Sequence, residues 1–118
     1  MLPEPQRLQN GIYMTYWHNT LDKACLREQI AMLQKVRVDN TSSIIILDVT
    51  EVKQVKIGLV KLLDTMETCQ SSAFIFVQPA YKLQVVTRML GRISKKPVLT
   101  AKSQGEAVRY AHELLGVV

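Results

Sequence analysis

The apolar positions switch along the chain between a period of two and a period of three to four, which predicts strands alternating with helices. Residues 12–17 alternate between two faces, as expected of a strand. Residues 44–47 and 73–77 are uninterrupted apolar runs, which is typical of strands buried on both faces. Shorter strands are predicted at residues 6–9 and 97–100.

The pair Asn10-Gly11 separates the first two predicted strands and favours a two-residue hairpin turn. Apolar residues at helical spacing predict four helices after this hairpin. The first begins after an N-cap at Asn19 or Thr20 and runs to about Val36. The other three cover residues 59–66, residues 80–93, and a segment from the Ser103 capping box to a stop at Gly116.

These elements predict an α/β fold with a mixed, mostly parallel sheet of four or five strands, covered by four helices. The length of 118 residues favours a single domain over residues 1–118. Two cysteines cannot form a disulfide framework or a zinc site with paired ligands, and the N-terminal sequence does not resemble a signal peptide. We therefore expect a cytoplasmic protein.

The net charge of +5 is unevenly distributed. Residues 71–105 contain six Lys or Arg and no acid. Such a surface suits an acidic protein, an anionic lipid or a membrane surface, although cations on a solvated helix face are also common. Nucleic acid is disfavoured because no aromatic residues are interleaved with these cations.

Candidate catalytic residues are few. Asp48 ends the most buried strand, and its side chain is expected to organise the following turn. His18 lies near the same edge, and His112 is predicted on the last helix. Cys25 and Cys69 are expected to be packing residues. Nothing combines a nucleophile, a base and an orienting group, so the sequence predicts a non-enzyme without a cofactor or metal.

The segment Ile-Ile-Ile-Leu-Asp-Val-Thr-Glu-Val at 44–52 resembles the STAS domain of anti-sigma-factor antagonists and sulfate transporters. That family has a buried strand ending in Asp-Leu-Ser-x-Val, followed by Asp-Ser-x-Gly-Leu at the start of a helix. Later elements follow in the same order, including a last helix that begins with Ser-x-x-Glu-Ala at 103–107. The resemblance implies a regulatory domain that binds a protein partner.

One departure from the family pattern concerns its phosphorylatable serine. This chain has Lys56-Ile57-Gly58-Leu59 in that region, so no hydroxyl aligns with the serine. Phosphorylation acts by adding about −1.5 to −2 charges at the helix start, and the acceptor is missing. The sequence therefore resembles a divergent STAS-like branch that lacks the phospho-switch and is related in fold to CRAL-TRIO lipid-binding domains.

Two functions follow as hypotheses. The first is a non-catalytic interaction module, with a homodimer as one form it can take, that uses the loop and helix start from Glu51 to Val60. Its candidate partner-binding residues are Asp48, Thr50, Glu51, Lys53, Lys56, Gly58, Arg88, Arg92 and Lys96. The alternative is a carrier of a small molecule or lipid in an apolar pocket, with the third helix as a lid carrying Val85 and Met89.

Overall fold

The computed structural model describes residues 4–9, 11–36, 43–68 and 71–116. Asn10, Ser42 and Cys69 lie outside these residues, so the expectations for them stay predictions. The strands are β1 (Gln6–Gln9), β2 (Ile12–Asp22), β3 (Ser43–Lys56), β4 (Ser71–Val77) and β5 (Val98–Ala101). The helices are α1 (Lys23–Val36), α2 (Leu59–Thr68), α3 (Tyr81–Ile93) and α4 (Gln104–Leu114).

The five strands form one mixed sheet in the order β1-β2-β3-β4-β5. β1 and β2 are antiparallel, and every later neighbour pair is parallel. Gly11, between β1 and β2, has a φ of 83°, as a tight hairpin turn requires. Ile45 pairs with Phe74 in the centre of the sheet. The α/β fold predicted from the apolar pattern is therefore confirmed.

Alternation along the buried strands divides the core between the two faces of the sheet. On one face, Tyr13, Ile45 and Phe74 share a cluster with apolar residues of α1, α2 and α3. On the other face, β-strand residues such as Ile46 pack with Ala107 of α4. Three helices thus cover one face and α4 covers the other, so both faces of the central strands are buried.

The start of α1 differs from the prediction. β2 continues to Asp22, and Asp22 Oδ1 accepts a hydrogen bond of 2.8 Å from the Cys25 N–H. Asp22 therefore caps α1, and the predicted cap at Asn19 or Thr20 is wrong. Asn19 lies within β2 with a φ of 63°, beside an irregularity in the pairing with β3.

β3 is much longer than the apolar run that predicts it. β3 has 14 residues and ends at Lys56. Residues 49–56, predicted as a loop, are therefore part of a strand. Two extra residues in β3 shift its register against β2, once opposite Trp17 and once before Thr20. Such bulges bend a strand pair. Beyond the last β3–β4 pair at Asp48, residues 17–22 and 49–56 continue as a two-stranded segment, here termed the β2–β3 ribbon.

The last helix follows the sequence closely. Ser103 Oγ accepts a hydrogen bond of 3.1 Å from the Glu106 N–H, and a Glu106 carboxylate oxygen accepts one from the Lys102 N–H. The predicted capping box therefore forms, with Lys102 rather than Ser103 as the second donor. Gly116 has a φ of 72°, which ends the helix as predicted.

Candidate functional site

Asp48 links β3 to α4 at the point where β3 leaves the five-stranded sheet. Its Oδ1 accepts hydrogen bonds from the Thr50 hydroxyl at 2.6 Å and from the Thr50 N–H at 3.2 Å. Its Oδ2 accepts a hydrogen bond of 2.6 Å from the Gln104 side chain, at the first residue of α4. Asp48 therefore organises the local chain, as predicted, and also fixes the N-terminus of α4 against β3.

The pKa of Asp48 reflects two opposing effects. Partial burial raises the pKa, whereas hydrogen bonds from the Thr50 hydroxyl, the Gln104 amide and the Thr50 N–H lower it. The hydrogen bonds outweigh burial, so the pKa lies below the ordinary value of an aspartate. A carboxylate stabilised in this way is a poor proton acceptor near neutral pH, because general bases work best with a pKa near the operating pH.

A surface groove of about 370 Å³ lies beside this network. Its lining residues are Tyr16, Trp17, His18, Asp48, Thr50, Glu51 and Gln104. His18 is brought to the edge that carries Asp48, as expected from the sequence, but its backbone pairs with Glu51 rather than with Asp48. Within the described residues, no group of three His, Cys, Asp or Glu is placed to hold a metal ion.

The β2–β3 ribbon carries four of the nine predicted partner-binding residues. Thr50, Glu51, Lys53 and Lys56 are exposed on it, while Val52 points into the core. The part of this surface up to Lys56, predicted as a loop, is therefore a paired strand whose exposed side chains carry charges of both signs.

Gly58 immediately precedes α2, and its carbonyl oxygen accepts a hydrogen bond of 3.0 Å from the Leu62 N–H. The residue is exposed, and a Cβ added to it would meet nothing within 4 Å. The space at position 58 would therefore accept a side chain such as serine, but the residue there is glycine.

The three candidate partner-binding cations on or beyond the third helix lie in different environments. Arg88 and Arg92 are exposed on α3. Lys96 is partly buried, and its Nζ donates a hydrogen bond of 3.1 Å to the carbonyl oxygen of Met66 in the last turn of α2. The same Nζ lies 5.8 Å from the centre of the Phe74 ring. Lys96 thus stabilises the fold at the end of α2, and of these three candidates the two arginines are the exposed ones.

An apolar pocket lies between the sheet and helices α1 and α2. Its volume is about 40 Å³, and its lining includes Trp17, Leu33 and Phe76. Cavities of this size hold one or a few waters, whereas pockets for drug-sized ligands measure about 300–1,000 Å³. Val85 and Met89 of α3 do not line this pocket. The helices over it are α1 and α2, so the predicted lid does not cover it.

Cys25 is partly buried against the core beside Asp22. Burial raises the pKa of its thiol, and the Asp22 carboxylate adds to the increase. A thiol with a raised pKa is a weak nucleophile near neutral pH, which agrees with the packing role predicted from the sequence.

Two features of the surface have no counterpart in the predictions. Gln104 is a partner of Asp48, although the two residues are 56 positions apart and nothing in the local sequence connects them. Helical spacing groups Ile93 with the inward-facing Leu83, Val86 and Leu90, but Ile93 is 51% exposed and continues a series of exposed apolar residues on α3. The spacing of four residues along that series is a sequence pattern that could have revealed it.

Comparison with solved structures identifies the class of fold. The chain is similar to the crystal structure of an uncharacterised protein with a SpoIIAA-like fold from Shewanella loihica PV-4. The TM-score is 0.66 with 10% identity, over 91% of this chain and 90% of that one. It is also similar to the anti-sigma factor antagonist SpoIIAA in its unphosphorylated form, with a TM-score of 0.57 and 14% identity over 91% and 94%.

The chain therefore has a SpoIIAA-like, STAS-type α/β fold, as the resemblance in its sequence implied. No protein-family model and no curated protein matches the sequence. None of the helices in the described part of the chain is long and apolar enough to cross a membrane.

Proposed function

We propose that this protein is a non-catalytic regulatory module of the cytoplasm that binds a protein partner through the β2–β3 ribbon and the start of α2. The observation that carries the proposal is the exposed series Thr50, Glu51, Lys53 and Lys56, which leads directly to Gly58. The similarity to a protein described as an anti-sigma factor antagonist supports a partner that is itself a regulator.

The charges of the ribbon support a protein as the partner. Within the described residues, the side chains of Glu51 and Lys53 make no hydrogen bond or ion pair. Charges of both signs, held on a paired strand, give a partner fixed positions to complement. Such complementarity mainly determines specificity and association rate. The two register shifts bend the ribbon and set the direction in which these side chains point.

The proposed module works without a phospho-switch. Gly58 offers no hydroxyl at the start of α2, and the nearby Thr50 hydroxyl donates its hydrogen bond to Asp48. Incubation with a kinase of the anti-sigma-factor type should leave residues 50–60 unmodified in a mass spectrum. Stoichiometric phosphate at Thr50 would contradict this part of the proposal.

Charge reversal on the ribbon tests the partner. The double variant Glu51→Lys/Lys53→Glu keeps the net charge but exchanges the two signs. A matched control, Glu28→Lys/Lys35→Glu, makes the same exchange at exposed positions of α1. We expect quantitative affinity purification from the source organism to recover one protein with the wild type and the control, but not with the ribbon variant.

Direct binding should then be measured with that protein in purified form, with the melting temperature of each variant as the check on folding. Equal recovery of every protein by the wild type and the ribbon variant would overturn the proposal. Recovery of only a second copy of this chain would assign the ribbon to a homodimer instead.

A further inference from the structure

The exposed face of α3 carries an apolar stripe that neither the core nor the ribbon uses. Tyr81, Val85, Met89 and Ile93 follow one another at intervals of four residues and are between 40% and 79% exposed. Residues four apart lie on one side of a helix, so these four side chains form a continuous line, here termed the α3 ridge. The ridge extends over about 18 Å, at 1.5 Å per residue.

Cations accompany the α3 ridge along its whole length. Lys82, Arg88 and Arg92 are exposed on the same helix, and Lys95 is exposed just beyond it. Within the described residues, the side chains of Arg88 and Arg92 make no hydrogen bond or ion pair. Their aliphatic stems can cover apolar surface while the guanidinium groups reach outward.

We propose that the α3 ridge docks this protein onto an anionic phospholipid bilayer, with α3 lying in the plane of the membrane surface. Helices with apolar residues on one face and Lys or Arg beside them bind at this interface, and anionic lipids add an electrostatic attraction. The proposal assigns the exposed cations on and beside α3 to phospholipid headgroups, and it is independent of the partner proposed for the ribbon.

Charge distribution favours a bilayer over an acidic protein. Residues 71–105 contain no acid, so no carboxylate of this segment opposes a uniformly negative surface. An acidic protein would need a negative patch shaped to the α3 ridge, whereas an anionic bilayer presents negative headgroups above apolar chains along the whole helix. Tyr81 is 79% exposed at the first position of α3, and its ring, with an apolar body and a polar tip, is suited to a membrane interface.

Vesicle binding of the full chain tests the proposal. The probes are vesicles of phosphatidylcholine alone and of equal parts phosphatidylcholine and phosphatidylglycerol. We expect binding only to the anionic vesicles, and a steep loss between about 0.05 M and about 0.5 M salt because the charges are then screened. Each exposed cation near an anionic surface contributes about a fivefold change in affinity, so Arg88→Gln/Arg92→Gln should reduce the partition coefficient about 25-fold.

Matched variants separate the ridge from net charge. Lys53→Gln/Lys56→Gln removes the same charge from the ribbon and should change the partition coefficient less than about twofold, since these cations are not on the docking face. Val85→Gln/Met89→Gln should reduce binding at every salt concentration, whereas Val60→Gln, at a position 78% exposed on α2, should not. Melting curves confirm that each variant folds.

Three results would overturn the proposal. Equal losses in the ribbon and α3 arginine variants would indicate attraction by net charge alone. Unchanged binding of Val85→Gln/Met89→Gln would show that the α3 ridge does not enter the interface. Binding to an acidic polypeptide such as polyglutamate, without binding to anionic vesicles, would assign the face to a protein. None of these results would affect the test of the ribbon, which measures a different surface.

Discussion

Replacing Asp48 with alanine tests whether its network holds the ribbon and α4 together. The variant removes the acceptor of three hydrogen bonds, two from Thr50 and one from Gln104. A hydrogen bond to a charged group contributes about 1.5–3 kcal/mol when buried. Asp48 is only partly buried, so we discount these values for solvent and expect Asp48→Ala to lose about 2 kcal/mol in total. For a domain of this length that loss lowers the melting temperature by about 8 °C.

The pH dependence of stability distinguishes the contribution of the Asp48 charge from that of its side-chain packing. Hydrogen bonds hold the pKa of folded Asp48 below its ordinary value despite the opposing effect of burial. A group whose pKa is lower in the folded state stabilises the protein fully above its unfolded pKa, about 3.9 for aspartate. That contribution is lost as the pH falls through the folded pKa. The difference between the wild type and Asp48→Ala should therefore be largest near neutral pH and should shrink below about pH 4.

Thermal melting by circular dichroism, from neutral to acidic pH, measures both effects. Asp64→Ala, at an exposed position of α2, is the matched control and should melt as the wild type does. A double-mutant cycle with Gln104→Ala should give a coupling energy of about 0.5–1 kcal/mol, because the two side chains bond directly. A loss for Asp48→Ala that is the same at neutral and acidic pH would refute the role assigned to the carboxylate.

Three further substitutions test the core, the Lys96 contact and the α4 cap by chemical denaturation. Ile45→Asp should prevent folding or cost at least about 4 kcal/mol, because it buries an unpaired charge, whereas Val60→Asp on the exposed start of α2 should not. Lys96→Gln should cost about 1 kcal/mol through loss of the charged bond to the end of α2, while Arg92→Gln should be neutral. Ser103→Ala should cost about 1 kcal/mol by removing the α4 cap. For any of the three variants, a free energy of unfolding within a few tenths of a kcal/mol of wild type would contradict the prediction.

The sheet could be predicted because its central strands are buried on both faces. The apolar runs at 44–47 and 73–77 are typical of strands in a parallel sheet that is covered by helices on both faces. Ile45 and Phe74 of these runs pair in the structure. The capping box at Ser103 was predictable for a different reason, since its hydrogen bonds join residues only three or four positions apart. Local chemistry and continuous burial are both visible in a single sequence.

The ribbon was missed because bulges change its periodicity. Val49, Val52 and Val55 face the core at intervals of three, so the segment has neither the alternation of a regular strand nor a full helical pattern. The extra residues of β3 that cause this spacing depend on pairing with β2, a contact between distant parts of the chain. The same holds for Asp48 and Gln104, which meet only after α4 packs on the sheet.

The fold separates the cations of residues 71–105 into Lys96, which is bound at the end of α2, and exposed residues, most of which lie on α3. The α3 surface lies apart from the ribbon. α3 packs beside β5 at one edge of the sheet, whereas the ribbon extends β2 and β3 nearer the other edge. A protein held at a membrane by α3 would therefore keep the ribbon accessible to a partner. If both proposals hold, Arg88→Gln/Arg92→Gln should reduce the partition coefficient for anionic vesicles about 25-fold and leave the affinity for the ribbon's partner in solution unchanged.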